Sequence, residues 1–349
     1  MLSIYFYCRI LLIKSMKKNL VYLCALLCVL TWFTSCSDEK KSGADNAWKE
    51  ISKDYNASNL SLGLVSTSGS VTVNALSADK ATLVLNNVVA GESSVSVDAA
   101  LTKTDKGYAF EGESAGTTCK VKISGSIEEG KLTMAMNRTL TSALVGTLNL
   151  NYLPAMGGSQ MAQVYAYFNT GNEQMDAMLN GMAAPQLGSM IAGKVESVMV
   201  NLGEDGSFSF SFKKVGSSEA TVMPPAKLAE MIKSYLTWFE KDDVLYLAVH
   251  KDALTILGGL NILPEGFELS SIVNILSLEG DYYTVPINAQ KDGEAITLFL
   301  GKTMITKVWT LLQPLLSNIS DETIQSIVNV VGGVMNTAQD IKVGLVFKK

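Results

Sequence analysis

Histidine is almost missing from this chain: His250 is the only one in 349 residues. One imidazole removes every multi-histidine metal site and every catalytic arrangement that draws on a second histidine. A single His could still complete a triad, but His250 directly follows the apolar run Val244 to Val249, the setting of a strand end rather than of a nucleophile's base. Thiols are as scarce in the part that folds. Cys8, Cys24, Cys28 and Cys36 crowd the N-terminal end, which leaves Cys119 alone in the body and excludes an internal disulfide. Phosphate loops are missing as well, since neither Gly258-Gly259 nor Gly332-Gly333 is followed by Lys-Ser or Lys-Thr. No run alternates Asp or Asn with a distal Glu, as a calcium loop requires. Positive charge is short: the formal net charge is −5, and Arg9, Lys14, Lys17 and Lys18 all lie ahead of Cys36 with no acid among them. The remainder is more acidic still, which argues against nucleic acid or an anionic lipid surface as partner.

What is present begins with a targeting segment. Lys17 and Lys18 precede the apolar stretch Leu20 to Phe33, which is too short for a spanning helix and of the length of a signal core. Met16-Lys17-Lys18-Asn19 is itself an ordinary signal start, so Met16 is the expected true first residue. The run Phe33-Thr34-Ser35-Cys36 resembles a bacterial lipoprotein signal, with Phe33 in place of the usual Leu, Val or Ile. The resemblance implies that residues 1–36 form a lipoprotein signal ending at a lipidated Cys36, and that the mature chain is anchored in a membrane through its acyl chains. Ser37-Asp38-Glu39 is similar to the short acidic export signal of surface lipoproteins in Bacteroidetes, which implies the outer membrane and its cell-surface face.

Residues 37–50 are polar, charged and without apolar periodicity, the composition of a flexible tether. From Leu60 to Tyr152 the pattern is period two, broken by turn residues. Val95, Val97, Ala99 and Leu101 alternate with Ser94, Ser96, Asp98 and Ala100; Cys119, Val121 and Ile123 point one way; Glu128-Glu129-Gly130 turns the chain, and Leu132, Met134 and Met136 resume the inward set. Gly146, Leu148, Leu150 and Tyr152 make a last alternating run. Short strands of this kind suggest a small barrel or sandwich. The succession Ala81 to Val88, Gly107 to Gly112 and Val121 to Thr133 resembles the calycin-like β-barrel domain of Bacteroidetes lipoproteins, and the whole chain is similar to a gut Bacteroidales lipoprotein family of unknown function. That resemblance implies a barrel over residues 51–153 that takes an apolar or amphipathic small ligand. It carries no catalytic residue across.

Residues 154–349 mix helices with strands. Helices are expected over Met161 to Phe168 and Met175 to Ile191, the second broken at Pro185. Val198, Val200 and Leu202 pair through Gly203-Glu204-Asp205-Gly206 with Phe208, Phe210 and Phe212. The spacing of Leu228, Met231, Ile232, Tyr235, Leu236 and Phe239 predicts a helix over Ala226 to Glu240. Strands follow at Val244 to Val249, Tyr282 to Ile287 and Ala295 to Leu300. Helices are then expected through Ile305, Val308, Trp309 and Leu312 and, after a Ser320 cap, through Ile324, Ile327, Val328 and Val331. The chain closes on the strand Ile341, Val343, Leu345, Phe347. The fold class is therefore mainly β with α+β: a small antiparallel calycin-like barrel, then a second α+β domain whose amphipathic helices cover an antiparallel sheet.

The acid pairs Glu128-Glu129 and Asp242-Asp243 have the residue type of glycosidase chemistry, but neighbours on turns do not straddle a sugar. Trp48, Trp238 and Trp309 could stack on sugars, although the last two fall where helix packing explains them. No catalytic, cofactor-binding or metal-binding residue is expected, and no cofactor. The reading is a non-enzymatic binding or interaction module held at a membrane by its lipid. The alternatives are a glycan-binding accessory protein of a surface uptake system and, behind it, a hydrolase.

Overall fold

The computed structural model describes residues 46–63, 65–259, 269–317 and 332–349, and Asn46–Lys349 forms one compact unit. The lipid-attachment candidate Cys36 and the export-signal candidates Ser37, Asp38 and Glu39 lie outside the described residues, as does the helix expected over Ile324 to Val331 with its Ser320 cap.

Alternation builds the first layer. Strands β1 (Asp54–Tyr55), β2 (Leu60–Ser61), β3 (Ser70–Ser77), β4 (Lys80–Asn86), β5 (Ser94–Lys103), β6 (Gly107–Ala115), β7 (Cys119–Glu128) and β8 (Lys131–Leu140) form one eight-stranded sheet in the order β1-β3-β4-β5-β6-β7-β8-β2. From β3 to β8 the sheet is an antiparallel meander. Its two edges are joined by a single turn: β1 pairs with β3, β2 pairs with β8, and the Leu60 amide donates back to the Asn56 carbonyl at 2.6 Å. The sheet is thus a nearly closed barrel, which leaves little unpaired edge. Along β5 every second residue is buried, as the alternation of Val95, Val97, Ala99 and Leu101 requires. Leu83, Leu85, Val97, Val121, Ile123 and Leu132 are all fully buried, so side chains fill the interior. Each such burial contributes about 1.5 to 3 kcal/mol, the only large source of stability open to a body without a disulfide.

The second sheet comprises β9 (Gly146–Leu150), β12 (Val164–Asn169), β13 (Val195–Leu202), β14 (Phe208–Lys214), β15 (Thr221–Met223), β16 (Leu236–Lys241), β17 (Val244–His250), β18 (Ser277–Glu279), β19 (Tyr282–Asp292), β20 (Ala295–Gly301) and β21 (Asp340–Lys348). Its main path runs β15-β14-β13-β9-β21-β20-β19-β17-β16. A separate ribbon pairs β10 (Tyr152–Pro154) with β11 (Gln160–Ala162). The large sheet curls on itself, because Trp238 in β16, at one end, donates its amide to Gly206 O at 3.0 Å and its indole Nε1 to Gly203 O at 2.8 Å, both in the β13–β14 turn near the other end. Leu148, Val198, Leu202, Trp238 and Leu245 join the barrel's residues in one continuous apolar core.

Helices cover this sheet, but not all where periodicity puts them. Helix α1 (Glu173–Ala192) starts at Asn172, whose side chain accepts from the Gln174 and Met175 amides. It runs through Pro185 unbroken. Two anchors hold it on the sheet: Asn180 bonds both the amide and the carbonyl of Phe168, and Gly188 lies so close to β11 that a Cβ would sit 2.3 Å from Ala162 O. Helix α2 (Ala226–Ile232) ends far short of Glu240; a 3-10 turn follows and Leu236 to Lys241 form β16. Trp238 and Phe239 favour a pleated, half-buried surface, and pairing with β17 overrides the helical spacing. Met161 to Phe168 is likewise strand, because β12 matches β21 residue for residue from Val164↔Leu345 to Asn169↔Asp340. Gly146 to Leu150, which continues the barrel's rhythm, pairs instead with β13 and β21. Alternation marks a strand with one buried face and does not say which sheet receives it. The short helices α3 (Ala253–Gly259) and α4 (Leu269–Ile275) precede α5 (Lys302–Ser317), whose Ile305 and Trp309 pack with Met335, Ala338 and Ile341 as expected of an amphipathic helix.

Candidate functional site

The barrel and the curled sheet meet along a groove. Its largest part is a cavity of about 680 Å³ lined on the barrel side by Leu62, Val65, Val88, Ala90, Met134, Met136, Asn137, Arg138 and Thr139, and on the sheet side by Asp205, Lys233, Ser234, Leu236, Thr237 and Tyr282. Val88, Ala90 and Met134 form a buried apolar floor, whereas Asn137, Thr139, Lys233 and Ser234 form an exposed polar rim. Ala90 and Tyr282 are shared with a smaller cavity of about 150 Å³. Gly91, Glu92, Ser93 and Lys241 continue from there into a third space of about 480 Å³. Gly91, which lines both smaller spaces, has φ of 85°, and an added Cβ there would lie 2.6 Å from the Phe239 ring.

Arg138 decides the electrostatics. Its position on β8 follows from the alternation that sends Met134 inward, since the two share one face of the strand. One guanidinium nitrogen donates to Ala90 O at 2.8 Å; the other donates to Trp238 O at 3.0 Å and to Thr237 Oγ1. All three acceptors are neutral, and no ion pair among the described residues includes Arg138. Burial pulls the guanidinium below its usual value, against the pull of Cys119, Tyr282, Glu92 and Asp205, and an arginine stays charged under such a shift. Burial likewise pushes the Tyr282 hydroxyl up, so the phenol at the cavity wall is a neutral donor. At the mouth, the Ser207 hydroxyl holds the Asp205 carboxyl below its usual value, and Lys233 adds to this.

Below the groove a second polar cluster latches the two sheets. Asp281 accepts from Lys251 Nζ at 2.6 Å, from the Ser68 amide and hydroxyl at 2.8 Å each, and from Thr67 Oγ1 at 3.1 Å. Burial alone would raise its pKa; these donors outweigh burial and hold it low. Asp252 accepts from the Ser66 amide at 2.7 Å and its hydroxyl at 2.9 Å, and lies 3.5 Å from His250 Nδ1. The carboxylate stands between hydroxyl and imidazole. In that order the imidazole cannot take the proton of the hydroxyl, which is the step a triad needs. His250 ends its strand, as expected, and is 1% exposed. Burial holds its pKa below 6.5 despite Asp252 and Asp281.

The other sequence candidates fall at structural places. Cys119 is buried on the inward face of β7, and burial pushes its thiol up. Glu129, Asp242 and Asp243 occupy exposed hairpin turns with positive φ. Trp238 is fully buried, and Trp48 and Trp309 pack against apolar clusters. Among the described residues no group of three or more His, Cys, Asp and Glu could hold a metal ion. Arg138 was not singled out by motif or spacing. Its signal is scarcity, since it is the only arginine in the chain after Arg9. Compared with known proteins, the chain matches no family model, no curated protein and no solved structure.

Proposed function

We propose that this protein is a lipid-anchored outer-membrane surface protein, without enzymatic activity, that binds a small amphipathic ligand in the groove between barrel and curled sheet. The observation that carries this reading is the cavity of about 680 Å³, with an apolar floor and polar rim. Its size falls within the range of roughly 300 to 1,000 Å³ typical of small-ligand sites. The resemblance of the barrel to calycin-like lipoprotein domains points the same way by analogy, with the ligand moved from the packed interior to the barrel's flank. The tether, the acidic residues Asp38 and Glu39 and the lipidated Cys36 supply the anchoring half of the reading. A glycan site is the weaker alternative, since no tryptophan is exposed among the described residues to serve as a stacking platform. Native mass spectrometry of the protein purified from its host tests the binding half: a co-purifying small molecule, displaced by Val65→Trp, is expected. A ligand-free mass under gentle conditions counts against it. For the anchoring half, Cys36→Ala should abolish metabolic labelling with a fatty acid and leave an unprocessed precursor, and protease added to intact cells should digest the wild-type protein.

A further inference from the structure

The geometry points to an amphipathic organic anion as the occupant of the groove, an apolar body carrying one carboxylate, sulfonate or sulfate that meets Arg138. This rests on the ligand-binding reading above and adds the charge to it. Arg138 is half-buried, so its guanidinium is partly stripped of water, a cost that a nearby anion offsets better than neutral acceptors do. Arg138 has three neutral acceptors and no carboxylate within ion-pair distance among the described residues, while a cavity opens beside it. Two of its five N–H donors, one on Nε and one on Nη1, are left over after those bonds, and each can donate to a single anionic oxygen. Lys233 at the rim adds a second positive charge, offset by Asp205, and the Tyr282 phenol adds a neutral donor on the sheet side. Beside Arg138 on the barrel side, Val88, Met134 and Leu62 offer an apolar bed to the rest of the molecule. A charged point set beside hydrocarbon selects for a molecule built the same way.

The three bonds of Arg138 also tie the barrel to β16, so the test has to separate recognition from that tie. The probes are 8-anilinonaphthalene-1-sulfonate and N-phenyl-1-naphthylamine, which share one aromatic body and differ by the sulfonate. They are titrated by fluorescence against the compact unit beginning at Asn46, whose core is closed within itself. The sulfonate probe is expected to bind at least about tenfold more tightly than the neutral one, about 1.4 kcal/mol. Arg138→Met should erase that preference while leaving the neutral probe's affinity in place. Should Arg138→Met fail to fold, Lys233→Gln, on the exposed rim, should weaken the sulfonate probe about threefold and leave the neutral probe unchanged. Val65→Trp, which fills the groove, should exclude both. Equal affinity of the two probes in the wild type, with both lost in Val65→Trp, would overturn the anion inference and keep the ligand site. Binding of neither probe would overturn both, and a sulfonate preference untouched by all three substitutions would place the probe elsewhere and overturn the inference.

Discussion

At the scale of single residues, two buried groups carry opposite lessons. Cys119 was legible: the alternation of β7 points it inward, and it is 2% exposed. A hydroxyl there would be poorly paired, so Cys119→Ser should cost about 1 to 3 kcal/mol in urea unfolding, and a neutral result would mean that this face is wet. His250 shows what sequence leaves out. Its place at a strand end follows from the apolar run before it, but its surroundings come from Asp252 and Asp281, Lys251 and the rings of Tyr235 and Tyr282. Its folded pKa lies below the unfolded value of 6.5, so the contribution is complete above that pH. As the pH falls through 6.5 the unfolded chain binds the proton first and stability declines, until the folded pKa is passed. Asp252 and Asp281, with folded values below 3.8, lose their contribution only in a lower window. Chemical unfolding at about pH 7.5 and about pH 5 should therefore show a loss in the wild type that His250→Gln abolishes. An unchanged slope would place the titration elsewhere. Arg138 was the residue that reading by motif passed over, because its meaning lies in having neutral acceptors and no carboxylate at ion-pair distance among the described residues, which only a structure displays.

At the scale of elements, sequence was reliable where a turn fixed the register and unreliable where a short apolar run satisfied two periods at once. The Glu129-Gly130 hairpin, the Gly203 to Gly206 hairpin and the Asp292-Gly293 turn all stand where the turn residues put them, since positive φ at Glu129, Gly206 and Gly293 suits that chemistry. The helix expected over Ala226 to Glu240 failed at its second half because Tyr235, Leu236 and Phe239 fit a helical face, while Leu236, Trp238 and Glu240 equally fit one face of a strand. Tertiary pairing decided: Asp242 and Asp243, with φ of 53° and 59°, close a tight hairpin that lays β16 on β17. The consequence for function is direct, because Leu236 and Thr237 of β16 line the sheet side of the groove beside Lys233 and Ser234 of the preceding turn. Trp238 is the pin of that arrangement, fully buried with Nε1 bonded to Gly203 O. Trp238→Phe keeps most of the volume and removes one of two hydrogen bonds to that carbonyl, which still accepts from the Gly206 amide, so a loss of about 0.5 to 1.5 kcal/mol is expected. Trp238→Ala adds a cavity and should cost about 3 to 5 kcal/mol. If Trp238→Phe costs nothing while Trp238→Ala destabilises, the indole hydrogen bond contributes nothing and packing alone holds β16.

At the scale of the whole molecule, the groove exists only because two sheets share a core. Residues 51–153 and 154–349 read as separate domains by rhythm, and domains with separate cores melt as separate transitions. Here one apolar cluster runs from Val71 and Leu83 in the barrel through Leu148 and Leu202 to Trp238 and Phe347, and β9 crosses from the barrel's rhythm into the other sheet. Heating should therefore unfold the body in one transition, with a calorimetric enthalpy matching the van't Hoff value. Two resolved transitions would show that the shared cluster does not couple the halves. The latch below the groove offers the sharper test. Asp281 is 4% exposed and gathers Thr67, Ser68 and Lys251 across the junction. Asp281→Ala would leave Thr67 and Ser68 without their acceptor while the half-exposed Lys251 turns to water, at a cost of about 1 to 3 kcal/mol. If the sheets are coupled mainly by apolar packing, the variant melts lower but still in one step. If the latch is the coupling, the single transition splits into two, with the barrel's alternating core the more resistant part. Either pattern bears on ligand binding, since a groove whose walls part on warming should lose its occupant before the barrel itself unfolds.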